Sequence, residues 1–231
     1  KVAMTTGDQS QKTLTLRDPA NSWSQDWQVN LTSNGYPGYR VVVDPDHDKI
    51  LTGDSAHDEN GTDDGLIRVF NDDGTVHSTV INPTSTNTRF GVGFAVKNGK
   101  LVSKVRVGGS SSNLALQFMT LTYGGGGGGG AAQGWISIIS DELQGYGYTD
   151  VSIRSLAVDS SDNIIAAGDS SGNYQLVVKI KSDGTVDSAA SFGGSGATNK
   201  NRAVAVDSSN NIFTAGQAKD NWNKTDGHVM R

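Results

Sequence analysis

The 231-residue chain carries a formal charge of −5, 30 glycines, no cysteine and only 35% hydrophobic residues. Without cysteine there is no disulfide, no thiolate zinc site and no thiol nucleophile. No Lys/Arg run offers the clustered basic face that a phosphate backbone requires, which disfavours nucleic acid, and no stretch reaches the ~20 apolar residues of a membrane-spanning helix, so membrane insertion is not expected.

In chain order, Lys1 to Leu31 opens inside a repeat, with VAMTTG, TLTLRD and DWQVNL as three short strands. The next unit runs from Tyr36 to Ile81. It comprises Val41-Val42-Val43, an Asp-rich turn, Lys49 to Thr52, a polar loop from Asp54 to Asp64, Leu66 to Phe70, the turn Asn71-Asp72-Asp73-Gly74, and Thr75 to Ile81. The following unit diverges, and its third strand (Leu114 to Tyr123) runs into seven glycines, Gly124 to Gly130. A glycine run maximises backbone freedom and packs nothing, so it reads as a loop tip joining two strands. Clearer copies follow in LAVDSSDNIIAAGDSSGNYQLVVKIKSDGTV (Leu156 to Val186) and RAVAVDSSNNIFTAGQ (Arg202 to Gln217).

The glycine closing each second strand measures the repeat. Gly7, Gly53, Gly108, Gly168 and Gly216 are spaced by 46, 55, 60 and 48 residues, the length of a propeller blade rather than of a leucine-rich coil. Each run is short and rich in Val, Ile, Thr and aromatics, with no helical spacing to compete. The Asp-Gly turns at Asp73-Gly74 and Asp183-Gly184 are hairpin chemistry. A small or β-branched residue recurs mid-way along the first strand (Val42, Ala95, Ala157, Ala205), where radially stacked sheets would crowd together. The fold expected is therefore all-β: a β-propeller built from four-stranded antiparallel blades of about 46–60 residues. Residues 1–35 form a partial blade, 36–81 a blade, 82–139 a divergent blade with the polyglycine loop 124–130, 140–192 a blade, and 193–231 a partial blade. The start at Lys1 and the half-blades at both ends suggest a fragment of a longer chain.

The pattern AVDSSxNIxxAG…LVVKxxSDGTV, with Trp or Phe in the strand that follows, resembles the bacterial β-propeller repeats of the SBBP type. Such repeats are found in large secreted bacterial proteins and in structural proteins of marine bacteriophages. The resemblance spans Arg154 to Gln217, with a fair match over Trp27 to Val76. It implies a propeller used for attachment or display and no catalytic residues, since the shared motif consists of strand and turn positions. The polyglycine insertion departs from the pattern and favours a virion component.

Asp44, Asp46 and Asp48 have the D-x-D-x-D spacing that presents alternate carboxylates to calcium. Their register equivalents, Asp159 to Asn163 and Asp207 to Asn211, are turns in which Asp and Asn cap their own backbone. No glycine follows Asp48 and no distal Glu closes a shell. A turn is expected, with calcium as the alternative and no other cofactor. Asp58, Glu59, Asp63 and Asp64 read as a solvated acidic loop. The glycine tract lacks the following helix or Gly-Lys-Ser/Thr of a nucleotide loop. The four histidines fall apart in sequence, so no zinc or Ser-His-Asp arrangement can be assigned. Trp27, Trp135 and Phe192 share a register that suits packing between blades. Trp23 and Trp222 sit in polar loops, where an indole could stack on a sugar ring or meet a protein.

The function expected is a non-enzymatic structural or attachment protein of a phage tail or other virion appendage, outside the cell and in multiple copies. Its partners would be other virion or surface proteins. The alternative is a secreted bacterial surface or matrix protein that binds cell-surface glycans.

Overall fold

The computed structural model describes residues 2–7, 11–32, 40–54, 65–81, 90–91, 93–106, 114–123, 131–137, 139–171, 173–193, 199–219 and 225–231. Among the described residues the protein is all-β apart from one helix and one 3-10 turn, with the strands in five antiparallel sheets. The first sheet holds β1 (Val2–Gly7), β2 (Gln11–Asp18) and β3 (Ser24–Thr32) in that order. The second holds β4 (Arg40–Asp44), β5 (Lys49–Asp54), β6 (Leu66–Asn71) and β7 (Val76–Ile81). The third holds β8 (Phe94–Lys97), β9 (Lys100–Arg106), β10 (Leu114–Leu121) and β11 (Ala131–Ser137). A short helix α1 (Ile139–Gly145) then precedes the fourth sheet. That sheet contains β12 (Ser152–Val158), β13 (Ile164–Ser170), β14 (Tyr174–Ile180) and β15 (Val186–Phe192). The last sheet holds β16 (Lys200–Val206), β17 (Ile212–Lys219) and β18 (Thr225–Met230). Neighbours in every sheet are consecutive in sequence, the up-and-down order that short turns impose.

The chain divides into two compact units, Lys1–Gly109 with Met119–Gly134 and Ser110–Phe118 with Trp135–Arg231. In the first, Leu14, Leu16, Leu31, Ile50 and Phe70 form a buried cluster flanked by Ala3, Trp27, Val29 and Val41. Strand β1 lies against β4, and β4 against β8. In the second, Ile165, Ala167 and Val204 are buried together with Ala157, Val177, Val206 and Ile212 around them. Strands β12, β13 and β14 all meet β16. Both cores follow period-two alternation, which sends every second side chain to the same sheet face. Thus Val204 is buried while Ala205, one residue on, is exposed. Ala95 is buried and Ala157 half-buried, so the small residues of the first strands do not share one environment.

The recurring glycine has a specific cause in the second unit. β12 shifts register between Ile153 and Ser155, and β16 between Asn201 and Ala203, so Arg154 and Arg202 are bulged residues. Each bulge drives the start of the first strand onto the second. A Cβ on Gly168 would lie 1.8 Å from the Ser152 carbonyl oxygen, and one on Gly216 would lie 2.1 Å from that of Lys200. Only glycine lets the backbones approach so closely. The bulge also aims its arginine at the residue after the glycine. Arg154 holds Asp169 through Nε and through Nη2 at 3.2 Å, and Arg202 Nη2 donates to Gln217 Oε1 at 3.1 Å. Gly53 shares the glycine position for another reason: its Cβ would meet the carbonyl oxygen of Gly91 at 1.9 Å.

Helix α1 was not foreseen from the strand pattern. Its Leu143 is fully buried and its Glu142 carboxylate accepts the Val186 amide at 2.9 Å, tying the helix to the start of β15.

Candidate functional site

The turn carboxylates that recur along the chain are spent on their own backbone. Asp159 Oδ1 accepts the amides of Ser161 (2.8 Å) and Asn163 (2.9 Å), and its Oδ2 accepts the Asn163 side-chain amide at 2.9 Å. Asp207 repeats the pattern with Ser209 and Asn211 at 2.9 and 2.8 Å, and with the Asn211 side chain at 2.7 Å. Left-handed Asp162 and Asn210 close the two turns. The turns also join each other, since Asn210 Nδ2 donates to Ser160 Oγ at 2.7 Å and the Ser160 amide donates to Asn210 Oδ1 at 2.9 Å. Asp73 and Asp183 serve shorter turns, each accepting the amide and hydroxyl of Thr75 or Thr185 within 2.9 Å.

These hydrogen bonds favour the ionised form. Asp207 is held below the usual carboxylate range chiefly by the Asn211 side chain, Asp73 by Thr75 and Asp183 by Thr185. Burial raises Asp159, but Asn163, Ser161 and Lys179 outweigh it and its carboxyl also lies low.

Asp44 occupies the same register and behaves differently. Asn163 and Asn211 are replaced by Asp48, which has no side-chain donor to cap the turn. The turn tightens to Pro45–Asp48, with Asp44 paired to Lys49 and Asp48 at φ 52°. The Asp44 carboxylate then turns to other elements of its unit and is fully buried. Its Oδ2 accepts the Gly99 amide at 3.0 Å, the Tyr123 hydroxyl at 3.0 Å and His47 Nδ1 at 3.1 Å. Asp46 Oδ2 accepts the neighbouring Asn98 amide at 3.1 Å. His47 lies against Tyr123 with the ring planes tilted by 50° and centroids 4.7 Å apart, and His77 meets the same ring edge-on at 5.8 Å. Lys49 Nζ donates to the His47 carbonyl at 3.1 Å and lies 5.7 Å from the Tyr123 centroid. Burial first, then the Asp44 charge and hydrogen bond, push the Tyr123 phenol far above its ordinary value. Burial and then Lys49 hold the His77 imidazolium below its own.

The three candidate calcium ligands therefore do not converge on a common point. Asp44 and Asp46 clamp the turn between β8 and β9, and Asp48 supplies a left-handed corner. Among the described residues no group of three or more His, Cys, Asp or Glu side chains is arranged to hold a metal ion. Oδ1 of Asp44 is buried and accepts no hydrogen bond. The cluster is a charged staple built from Asp44, His47, Lys49, Asn98, Gly99 and Tyr123. Sequence reading found the aspartates but missed Tyr123 and the Asn98-Gly99 turn. The signal available was the turn itself, which reads Pro45-Asp46-His47-Asp48 where the recurring turns read Ser160-Ser161-Asp162-Asn163 and Ser208-Ser209-Asn210-Asn211.

Trp23 lies in the turn between β2 and β3 and is 53% exposed. Ser22 and Trp23 are both left-handed, at φ 52° and 60°, which is strained for a bulky side chain. Arg17 Nη1 donates to the Trp23 carbonyl at 3.0 Å, and Asp18 Oδ1 accepts the Ala20 amide at 2.9 Å, so the turn is held from both sides. Trp27 instead packs into the first core cluster and donates its indole N–H to the Asp72 carbonyl, with the ring over Gly74. Phe192 is 43% exposed and so departs from the packing role expected of it. Trp222, the acidic loop after Asp54, His57 and the glycine tract lie outside the described residues.

No protein-family model matches the chain. No curated protein matches it in sequence. Among solved structures it is similar to a Bacteroides caccae protein of unknown function, at 8% identity and a TM-score of 0.52 over 99% of this chain and 71% of that one. It is also similar to the major Malassezia sympodialis allergen Mala s 1, at 14% identity and a TM-score of 0.51 over 79% and 60% of the two chains. Trypanosoma rangeli sialidase, a propeller-like neighbour, gives 14% identity and a TM-score of 0.52 over 94% of this chain and 39% of its own. The chain thus spans less than two thirds of the length of the allergen and of the sialidase. These likenesses speak for fold alone: an all-β chain of several antiparallel sheets with propeller-like relatives in shape.

Proposed function

We propose that the chain is a segment of a β-propeller acting as a non-enzymatic structural or attachment protein, part of a phage tail or other virion appendage outside the cell. The observation that carries this reading is the use of the recurring carboxylates. Asp159 and Asp207 are spent on their own turns, so recognition falls to the segments that do not recur. Radial stacking is supported by first strands lying side by side within each unit, β4 with β8 and β12 with β16. A rigid scaffold bearing variable loops gains affinity through copy number, and many weak contacts in parallel produce firm attachment. The test is multivalent display of the purified chain on beads against a panel of whole bacteria. Retention on a restricted set of cells supports attachment, and equal retention on bare and coated beads across the panel refutes it.

A second reading, a secreted bacterial surface or matrix protein that binds glycans, is favoured by Trp23. An exposed indole on a braced turn is suited to stacking against the C–H face of a sugar. A glycan array probed with the wild-type chain and with Trp23→Ala separates the two: glycan signals that vanish in the variant support this reading, and their absence from the wild type rejects it.

A further inference from the structure

Asn98 and Gly99 turn the chain between β8 and β9, with φ of 48° and 69°. Both positions are left-handed, the geometry of a tight hairpin turn that selects Asn-Gly. Gly99 has little freedom to be anything else. A Cβ there would lie 3.3 Å from the Leu121 carbonyl oxygen and 3.4 Å from His47 Cε1, at a backbone angle that side chains avoid. The fold therefore requires glycine at residue 99 and favours Asn, Asp or Gly at residue 98, and the Asn-Gly pair present here is chemically prone to deamidation.

In an Asn-Gly pair the glycine nitrogen, once deprotonated, attacks the asparagine Cγ. The new N–Cγ bond closes a five-membered succinimide as the Cγ–Nδ2 bond breaks and ammonia leaves. Water then opens the ring at either carbonyl, giving aspartate or isoaspartate, with no oxidant or other reagent required. Asn98 is exposed to solvent, but the nucleophile is not free. The Gly99 N–H donates to the fully buried Asp44 carboxylate at 3.0 Å. The Gly99 carbonyl accepts the Leu121 amide at 2.8 Å, and the Asn98 N–H donates to Asp46 at 3.1 Å. A carboxylate on the N–H opposes its ionisation, and the paired groups on both sides oppose the rotation that attack requires.

We propose that Asn98-Gly99 is a latent deamidation site that the Asp44 carboxylate holds closed. The guard and the guarded bond are coupled. Isoaspartate would insert a methylene into the backbone between the two donor amides, and Asp44 would lose a partner inside the fold.

The test follows residue 98 by peptide mass spectrometry, as a gain of about one dalton and by separation of the isoaspartyl form, at mildly alkaline pH below the melting temperature. The reference is a synthetic peptide of the Phe94 to Val102 sequence. In the folded chain conversion is roughly tenfold or more slower than in the peptide, the factor expected for one charge-assisted hydrogen bond. Asp44→Asn moves the rate toward that of the peptide. Asp46→Ala, an exposed change that tolerates folding, raises it part of the way. Tyr123→Phe, which keeps the Gly99 contact, leaves it unchanged. Conversion at the peptide rate in the wild type overturns the proposal. So does equal acceleration by Tyr123→Phe and Asp46→Ala, which would mark general loosening of the turn.

Discussion

Replacing Gly168 with alanine puts the bulge argument under direct strain. The added Cβ would sit 1.8 Å from the Ser152 carbonyl oxygen, 2.8 Å from its carbon and 2.9 Å from the Ile153 Cα. All three are backbone atoms, so no side chain can swing aside, and the start of β12 must retreat by more than an ångström. Retreat breaks the Ser152–Asp169 and Ile153–Gly168 pairings and disturbs the Arg154–Asp169 ion pair. Two ladder hydrogen bonds at about 1 kcal/mol each, with overpacking of about 1–3 kcal/mol, give a loss of about 3–5 kcal/mol. That is a large share of the 5–15 kcal/mol that holds a typical domain together. Urea unfolding followed by tryptophan fluorescence and circular dichroism would show a lower midpoint at unchanged slope. Gly145→Ala is the control, since nothing lies within 4 Å of its Cβ, and helix propensity makes that change neutral or favourable by up to about 1 kcal/mol. If Gly168→Ala stays within about 0.5 kcal/mol of wild type, the bulge does not explain the glycine.

Tyr123→Phe removes one of three donors from the buried Asp44 oxygen and should cost about 1–3 kcal/mol in thermal or urea melts. In a spectrophotometric titration the Tyr123 phenol should remain protonated above the ordinary phenol value of about 10, and that resistant fraction should disappear in the variant. The depressed carboxyls of Asp73, Asp159, Asp183 and Asp207 mark an acid limit. Their folded pKa values lie below the unfolded value of about 4, so their contribution is complete above that pH and is lost as the pH falls further. Melting temperatures that do not drop below pH 4 would contradict this. Because Asp44 and Asp46 already accept backbone amides, adding calcium should leave the melting temperature unchanged, whereas binding to the native state would raise it.

Much of the strand order was legible because the chain repeats itself. The glycine ruler and the Asp-Gly turns place β4 to β7 and β12 to β15 close to where they lie, since alternation and turn chemistry are local properties. Helix α1 escaped because its seven residues show no long apolar period and are held by tertiary contacts, the Glu142 link to Val186 among them. The Asp44 staple escaped for a related reason. Its partners Gly99 and Tyr123 are 55 and 79 residues away, and although Pro45 to Asp48 differ throughout from Ser160 to Asn163, no local pattern points to either partner. Phe192 shows the limit of register arguments: Trp27 pairs with Leu16 near the start of β3, its counterpart opposite Ile180 is Val186, and Phe192 lies exposed at the far end of β15 opposite Gln175.

The central claim is that recurring residues build this chain and non-recurring ones meet its partners. It is tested most directly by probing one array of bacterial envelope glycans and surface proteins with three multivalently displayed forms: wild type, Trp23→Ala and Asp207→Ala. The array is read at a temperature where circular dichroism shows all three folded. A defined set of wild-type signals is expected, retained by Asp207→Ala despite its lower melting temperature and weakened by Trp23→Ala at unchanged stability. Signals lost in folded Asp207→Ala but untouched in Trp23→Ala would contradict it.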